Sequence, residues 1–450
     1  MRRRTIGAWR LGGTHVSHPI YSIIIHIMKK FHLFAMAVTG SLALCACSDN
    51  QGAESGLTEA NQVISLAVLN GNHVTTRAGR PLYSSEANQT IENVVVYVVN
   101  SADKEIKQTK KFSSWQSESS EHNTDDGRYA EFLLETKLED GNYQIFAVGY
   151  HNDSSYEDIE NALKSGSTFN ENAVLKLSTD GGAEEIFAGS TEPFEVRKSE
   201  GFKRQIVLNR QVAGVYVYVK EIPYIASATE LRLVASAENN RLVLGQFDNR
   251  DLDNNGAGNS ITSAVVNGFS EESAFDKTLL RIDLNDWFSS IEASGTLIDA
   301  SKWQKPAEYE GKATFEKGAV FGGAFVIPFA KVDRTQTLTL QLTTAGGEVK
   351  RSWNVNRPTG DSEPYRLYTW DTLSSTFTSQ ESVSEDKNSY NIVRNHIYGL
   401  GTRTSNDPGS GTDTEPGSEE QDAPVSLNNK HEIKLVVNDN WEVIHDMELD

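Results

Sequence analysis

Gln62-Val63-Ile64-Ser65-Leu66-Ala67-Val68-Leu69 alternates with a period of two, placing Ile64, Leu66 and Val68 on one face of an extended strand and Val63, Ala67 and Leu69 on the other. Apolar residues on both faces predict a strand buried on both sides. The loop that follows, Asn70–Tyr83, contains Thr76-Arg77-Ala78-Gly79-Arg80-Pro81 and reads as exposed chain of the kind that proteases cut. A strand that packs as core but is joined to the rest by a cleavable loop is a detachable element.

Ahead of that strand, Leu44-Cys45-Ala46-Cys47 closes the apolar run Phe31–Leu44, and Met28-Lys29-Lys30 precedes it. The run is too short to span a bilayer, which takes about 20 apolar residues, and it has the order of a signal peptide: positive, apolar, then small residues before a cysteine. Residues 1–46 are therefore expected to be a signal peptide starting at Met28, with Cys47 acylated and left as the new N-terminus. Asn50–Ala60 is small and polar, a tether. The chain from Cys47 loses Cys45 with the signal, so no disulfide framework or thiolate metal site is expected.

Removing residues 1–46 lowers Lys+Arg from 42 to 36 against 62 Asp+Glu, and the net charge goes from -20 to -26. So acidic a surface repels phosphate backbones and argues against nucleic acid as a partner.

Downstream, Ile91–Val99, Phe132–Leu138 and Tyr143–Val148 read as strands, with Asp140-Gly141-Asn142 as a turn between the last two. Tyr156–Leu163 reads as a short helix. Ala173–Leu177, Glu185–Ala188, Phe194–Val196 and Phe202–Leu208 are further short strands, at spacings of about 8–12 residues that favour a β-sandwich over an α/β alternation. Val212–Lys220 opens a second domain, with the boundary near Asn209–Arg210. Leu231–Ala235 with Arg241–Leu244 reads as a hairpin, and Gly346-Gly347 as the turn of another. The fold class is mostly β, in two tandem domains spanning 81–209 and 210–400.

From Gly401 to Ser426 the composition shifts to Gly, Ser, Thr, Pro, Asp and Glu, a linker with too little apolar surface to order itself; we take it as 401–429. Residues 430–450 then regain strand pattern, with Ile433, Leu435 and Val437 on one face, followed by Trp441, Val443, His445, Met447 and Leu449. A leashed amphipathic strand buries its apolar face somewhere, at roughly 1.5–3 kcal/mol per aliphatic side chain. Either it folds back to complete the second domain, or it fills the groove that Ile64, Leu66 and Val68 leave in another copy, by strand addition. Copies joined head to tail in the second way form an open filament.

Several short elements together resemble the Bacteroidia-type fimbrillins, the FimA-like pilus subunits. They are the lipobox ending at Cys47, the Arg77-Ala78 loop, Glu92-Asn93-Val94-Val95-Val96-Tyr97, Arg394-Asn395-His396-Ile397-Tyr398, the Pro/Asp-rich linker and Asn440-Trp441-Glu442-Val443. The resemblance implies two β-sandwich-like (transthyretin-like) domains and a donor-strand tail. It implies a lipidated (palmitate-bearing) propeptide, residues 47–80, that an arginine-specific protease removes after Arg77, Arg80 being disfavoured by Pro81. It further implies polymerisation with other copies and other fimbrial subunits by strand exchange, anchorage to the outer membrane before cleavage, adhesion to host surface ligands, and no cofactor. Arg394, Asn395 and Tyr398 match a motif that braces the strand before the linker. The same family includes lipid-anchored, non-polymerising anchors and tip adhesins.

Other motifs carry less. Asp251-Leu252-Asp253-Asn254-Asn255-Gly256 resembles the start of a calcium loop but has Thr262 at the twelfth position and no flanking helices. The six histidines after Cys47 lack paired ligand spacing, so no metal site is expected. With no nucleophile elbow, phosphate loop or dinucleotide fingerprint, the sequence predicts no enzyme. Trp115, Trp287, Trp303 and Trp353 are compatible with a sugar platform, which makes a surface glycan-binding lipoprotein the alternative from another class, although such rings are more often core.

Overall fold

A computed structural model describes residues 61–69, 91–121, 127–178, 182–245, 263–270, 277–310, 315–333, 335–357, 364–401, 424–428 and 432–438. Within them the chain is mostly β, dominated by two nine-stranded sheets. Valine-rich runs make this so: Asn93–Asn100 and Ala213–Lys220 consist largely of β-branched and aromatic residues and are buried on both faces.

The first sheet comprises β1 (Gln62–Leu69), β2 (Asn93–Asn100), β3 (Ile106–Phe112), β4 (Ser120–Glu121), β5 (Gly127–Leu133), β6 (Gly141–Tyr150), β7 (Phe187–Ser190), β8 (Phe194–Val196) and β9 (Phe202–Arg210). Its order is β3-β2-β6-β7-β9-β1-β5-β4, with β8 on β6. Along its length β9 changes partner: Phe202–Leu208 runs parallel to β1, whereas Asn209 and Arg210 pair with β7. That switch folds the sheet into two layers. Between them Ile64, Leu66 and Val68 meet Val94, Val96, Val98, Ile145 and Ile206 in one core. The opposite face of β2, with Val95, Tyr97 and Val99, packs on Ile159 and Leu163 and on Leu242, Leu244 and Ile327 from beyond the first sheet.

The second sheet comprises β10 (Ala213–Lys220), β11 (Glu230–Ala235), β12 (Lys277–Asp283), β13 (Val320–Val326), β14 (Leu338–Thr343), β15 (Val349–Asn356), β16 (Ile397–Leu400), β17 (Val425–Ser426) and β18 (Glu432–Asn438). The order is β12-β11-β14-β15-β18-β16-β10-β13, with β17 on β10. Its core joins Val215, Val217, Leu231, Leu340, Trp353, Val355, Ile397 and Leu400.

Two turn assignments made from local pattern are corrected. Asp140-Gly141-Asn142 is no hairpin turn: β5 pairs with β1, and β6 with β2 and β7. Nor do Leu231–Ala235 and Arg241–Leu244 form a hairpin, since β11 lies between β12 and β14 while Arg241–Val243 pairs with Val174–Lys176 and Gly268–Phe269. In both cases a longer-range strand offers a better-matched apolar face than the sequence neighbour. The β14–β15 hairpin is present, and Gly347 at its turn has φ +88°, a region that favours glycine. A helix occurs at Ile159–Ala162, inside the stretch expected to be helical.

Candidate functional site

β1 occupies a slot between a parallel neighbour, β9, and an antiparallel one, β5, and it is in register with each over seven residues. Ile64, Leu66 and Val68 are fully buried in the first core. Together they contribute roughly 5–9 kcal/mol of burial before the cost of ordering. Gln62, also buried, pins the register: its amide accepts from Leu138 N at 2.7 Å and donates to Leu138 O at 3.2 Å.

The outer face of this slot is polar. Ser65 Oγ donates to Glu131 at 3.0 Å, the Tyr129 hydroxyl lies 2.6 Å from the same carboxylate, and Lys203 Nζ reaches it at 2.6 Å from the other side of β1. Hydrogen bonds from Lys203, Tyr129 and Ser65 bring the Glu131 carboxyl down to about 2. Lys203 and Glu131 thus form an ion pair that straddles β1.

β18 sits in the second sheet with the same polarity, between a parallel strand, β15, and an antiparallel one, β16. Here the pairing is divided. Glu432, Ile433 and Lys434 lie opposite Asn354, Val355 and Asn356, whereas Leu435, Val436, Val437 and Asn438 lie opposite Leu400, Gly399, Tyr398 and Ile397. The tail thus passes from β15 to β16 along its length. Of its neighbours, Gly399 has no room for a side chain as packed, because a Cβ there would come within 2.1 Å of the Tyr216 ring. Asn356 is buried, and among the described residues neither of its side-chain amide atoms has a hydrogen-bond partner.

Aligned by sequence, the two strands read Ile64-Ser65-Leu66-Ala67-Val68 and Ile433-Lys434-Leu435-Val436-Val437. Both follow Ile-x-Leu-x-Val. Among the described residues, the structure therefore has two seats of equal polarity filled by strands with matching apolar sequence. In this chain the tail fills the seat in its own second sheet.

The Arg394–Tyr398 stretch lies beside the tail seat and braces the junction between the sheets. Arg394 is buried and its Nη1 donates to Gln211 Oε1 at 3.0 Å and to Gly245 O at 3.1 Å. Asn395, at φ +59°, donates its backbone N–H to Val212 O, and the Tyr398 hydroxyl donates to Asn391 O while accepting from Val393 N. At the same junction Arg210 donates through Nε at 2.7 Å and Nη2 at 2.5 Å to buried Glu185, and its guanidinium stacks on Phe187.

Cys47, Arg77, Trp441 and Val443 lie outside the described residues, as do the Asp251–Thr262 loop and four of the six histidines after Cys47. Among the described residues no group of three His, Cys, Asp or Glu side chains is placed to hold a metal ion. The tryptophan platform is corrected. Trp115, Trp287 and Trp353 are core residues, and half-buried Trp303 packs on the second core with its indole N–H on Ala319 O. Large rings in sandwich sheets find more apolar contact inside than on a flat face. Glu131, Lys203 and Gln62 were not singled out by sequence pattern. The alternation of Arg128-Tyr129-Ala130-Glu131 is the one local signal that Tyr129 and Glu131 share a face.

No known family model matches the sequence, and no curated protein matches it. Among solved structures, the chain is similar to the fimbrial anchor protein Mfa2 from Porphyromonas gingivalis, at 14% identity and a TM-score of 0.32, over 71% of this chain and 95% of that one. It is also similar to a fimbrial assembly protein from Parabacteroides distasonis, at 13% identity and a TM-score of 0.30, over 77% of this chain and 93% of that one.

Proposed function

We propose that this protein is a non-enzymatic structural subunit of a surface fimbrium that joins copies of itself by strand exchange. In this reading the chain is exported as a lipoprotein acylated at Cys47 and held at the outer membrane. An arginine-specific protease cuts after Arg77, β1 leaves its slot, and the tail of another copy enters. The observation that carries the proposal is the pair of seats: one parallel and one antiparallel neighbour in each, filled by strands that share Ile-x-Leu-x-Val. A strand that fits one seat has the polarity and the apolar spacing for the other.

The test is the N-terminus and intact mass of the protein recovered from the cell surface, together with its state of assembly. A chain beginning at Ala78 and running as a ladder of oligomers supports the subunit. A second reading, a lipid-anchored subunit that caps or anchors the fimbrium without polymerising, is favoured by one observation: the tail is already seated in its own second sheet. It predicts an acylated chain that still begins at Cys47 and stays monomeric.

A further inference from the structure

Resting on the strand-exchange reading, we infer that Glu432 and Lys434 set the register of an incoming tail by pairing with Lys203 and Glu131 of the receiving copy. Placing Ile433, Leu435 and Val437 where Ile64, Leu66 and Val68 lie puts Glu432 at position 63 and Lys434 at position 65. Position 63 is opposite Lys203 and Leu133; position 65 is opposite Glu131 and Gln205. Lys434 therefore meets a carboxylate, and Glu432 meets an ammonium.

The two receiving side chains are accessible for this, at 63% exposed for Lys203 and 39% for Glu131. The resident strand sets no charge against theirs: it presents neutral Val63 and Ser65, the latter donating to Glu131, while Lys203 and Glu131 pair with each other across it. An incoming Glu432 and Lys434 extend that single pair to four alternating charges. With β1 in place, hydrogen bonds from Lys203, Tyr129 and Ser65 bring the Glu131 carboxyl down to about 2; Lys203 and Tyr129 stay in the receiving copy when β1 leaves.

Slippage shows why the arrangement selects a register. The smallest slip that keeps the apolar face inward is two residues. In one direction it brings Lys434 to position 63, beside Lys203; in the other it brings Glu432 to position 65, beside Glu131. Directly opposed like charges destabilise a strand pair, so both slips are penalised. At home in the second sheet, Glu432 and Lys434 lie opposite Asn354 and Asn356, uncharged amides that offer no such discrimination. Among the described residues opposite the tail in its own sheet none carries a charge, whereas the first-strand seat of another copy presents Lys203 and Glu131.

The experiment uses the full chain cut with an arginine-specific protease, with the oligomer ladder followed over time by native mass spectrometry. Wild type is expected to assemble. Lys434→Glu should slow assembly by about tenfold, as a favourable cross-strand charge pair becomes a repulsive one. Adding Glu131→Lys to that variant should restore the rate to within about twofold of wild type. Glu432→Lys with Lys203→Glu provides a second, independent rescue should one double variant fold poorly, with melting of the uncut chains as the control. Lys434→Glu assembling at the wild-type rate, or no rescue in either charge-swapped pair, overturns the register inference while leaving strand exchange standing. A wild-type chain that stays monomeric after cutting removes both.

Discussion

β1 and β18 carry matching apolar sequence in seats of matching polarity, yet they are held differently. β1 is paired along its length on both sides, over seven residues with each neighbour, and its inward face ends in a core sealed by Gln62 on Leu138. β18 divides its length, three residues with β15 and four with β16. Backbone pairing around β1 is thus about twice that around β18. The comparison teaches that strand identity alone does not set how firmly a strand is seated; the continuity of its neighbours does. The better-paired strand is the one that the proposed cleavage detaches, and the less well-paired one is the proposed donor.

The largest expected effect tests that difference directly. Leu66→Asp buries a carboxylate in the first core and should destabilise the uncut chain by more than about 4 kcal/mol in urea unfolding. Leu435→Asp should cost clearly less and leave the unfolding of the first sheet unchanged, while stopping assembly of the cut chain. Equal losses from the two variants would break the comparison, and normal fibres from Leu435→Asp would refute the donor role.

Next in size is the anchor at the end of β9, which has the β1 seat on one side of its partner switch. Arg210→Ala leaves Glu185 buried without its guanidinium and should cost about 3–5 kcal/mol, read as a shift in the unfolding midpoint. The loss is expected to fall on the first sheet and the junction, with hydrogen exchange at the tail rising no more than elsewhere. Preferential loosening of the tail would show the two seats to be coupled.

Gly399→Ala acts from the other side. The added Cβ collides with the Tyr216 ring and should cost about 1–3 kcal/mol, as overpacking does. Hydrogen exchange should accelerate in Glu432–Asn438 and remain unchanged in Gln62–Leu69.

The smallest effect is on pH. Glu131 has a folded value depressed to about 2 from an ordinary 4.5, so its contribution is present above about 4.5 and is lost as pH falls from there toward 2. Glu131→Gln should flatten the stability profile in that window and leave it unchanged near neutrality apart from a constant offset. An unchanged acid limb in the variant would remove Glu131 from the account of the β1 seat.

Much of this architecture was legible in residue order. The alternation of Gln62–Leu69 matches the bounds of β1, the valine runs became β2 and β10, and Gly346-Gly347 turned a hairpin. The failures were of partner choice. Asp140-Gly141-Asn142 and the Leu231/Arg241 pair look like hairpins to any local rule, but each flanking strand found a neighbour far away in sequence. The tryptophans follow the commoner of the two readings open to them, core over platform, since a ring's exposure depends on which sheet lies over it.

By itself the sequence determined extension and facing: which segments are strands, and that Ile64, Leu66 and Val68, like Ile433, Leu435 and Val437, share one side. A period of two and β-branched side chains are local properties, and they act before any partner is found. Tertiary structure alone decided that the tail lies between β15 and β16, that β1 runs parallel to β9, and that Glu131 and Lys203 meet across it. Those outcomes join residues tens of positions apart, and they follow from which apolar faces can close over one another once loop entropy has been spent.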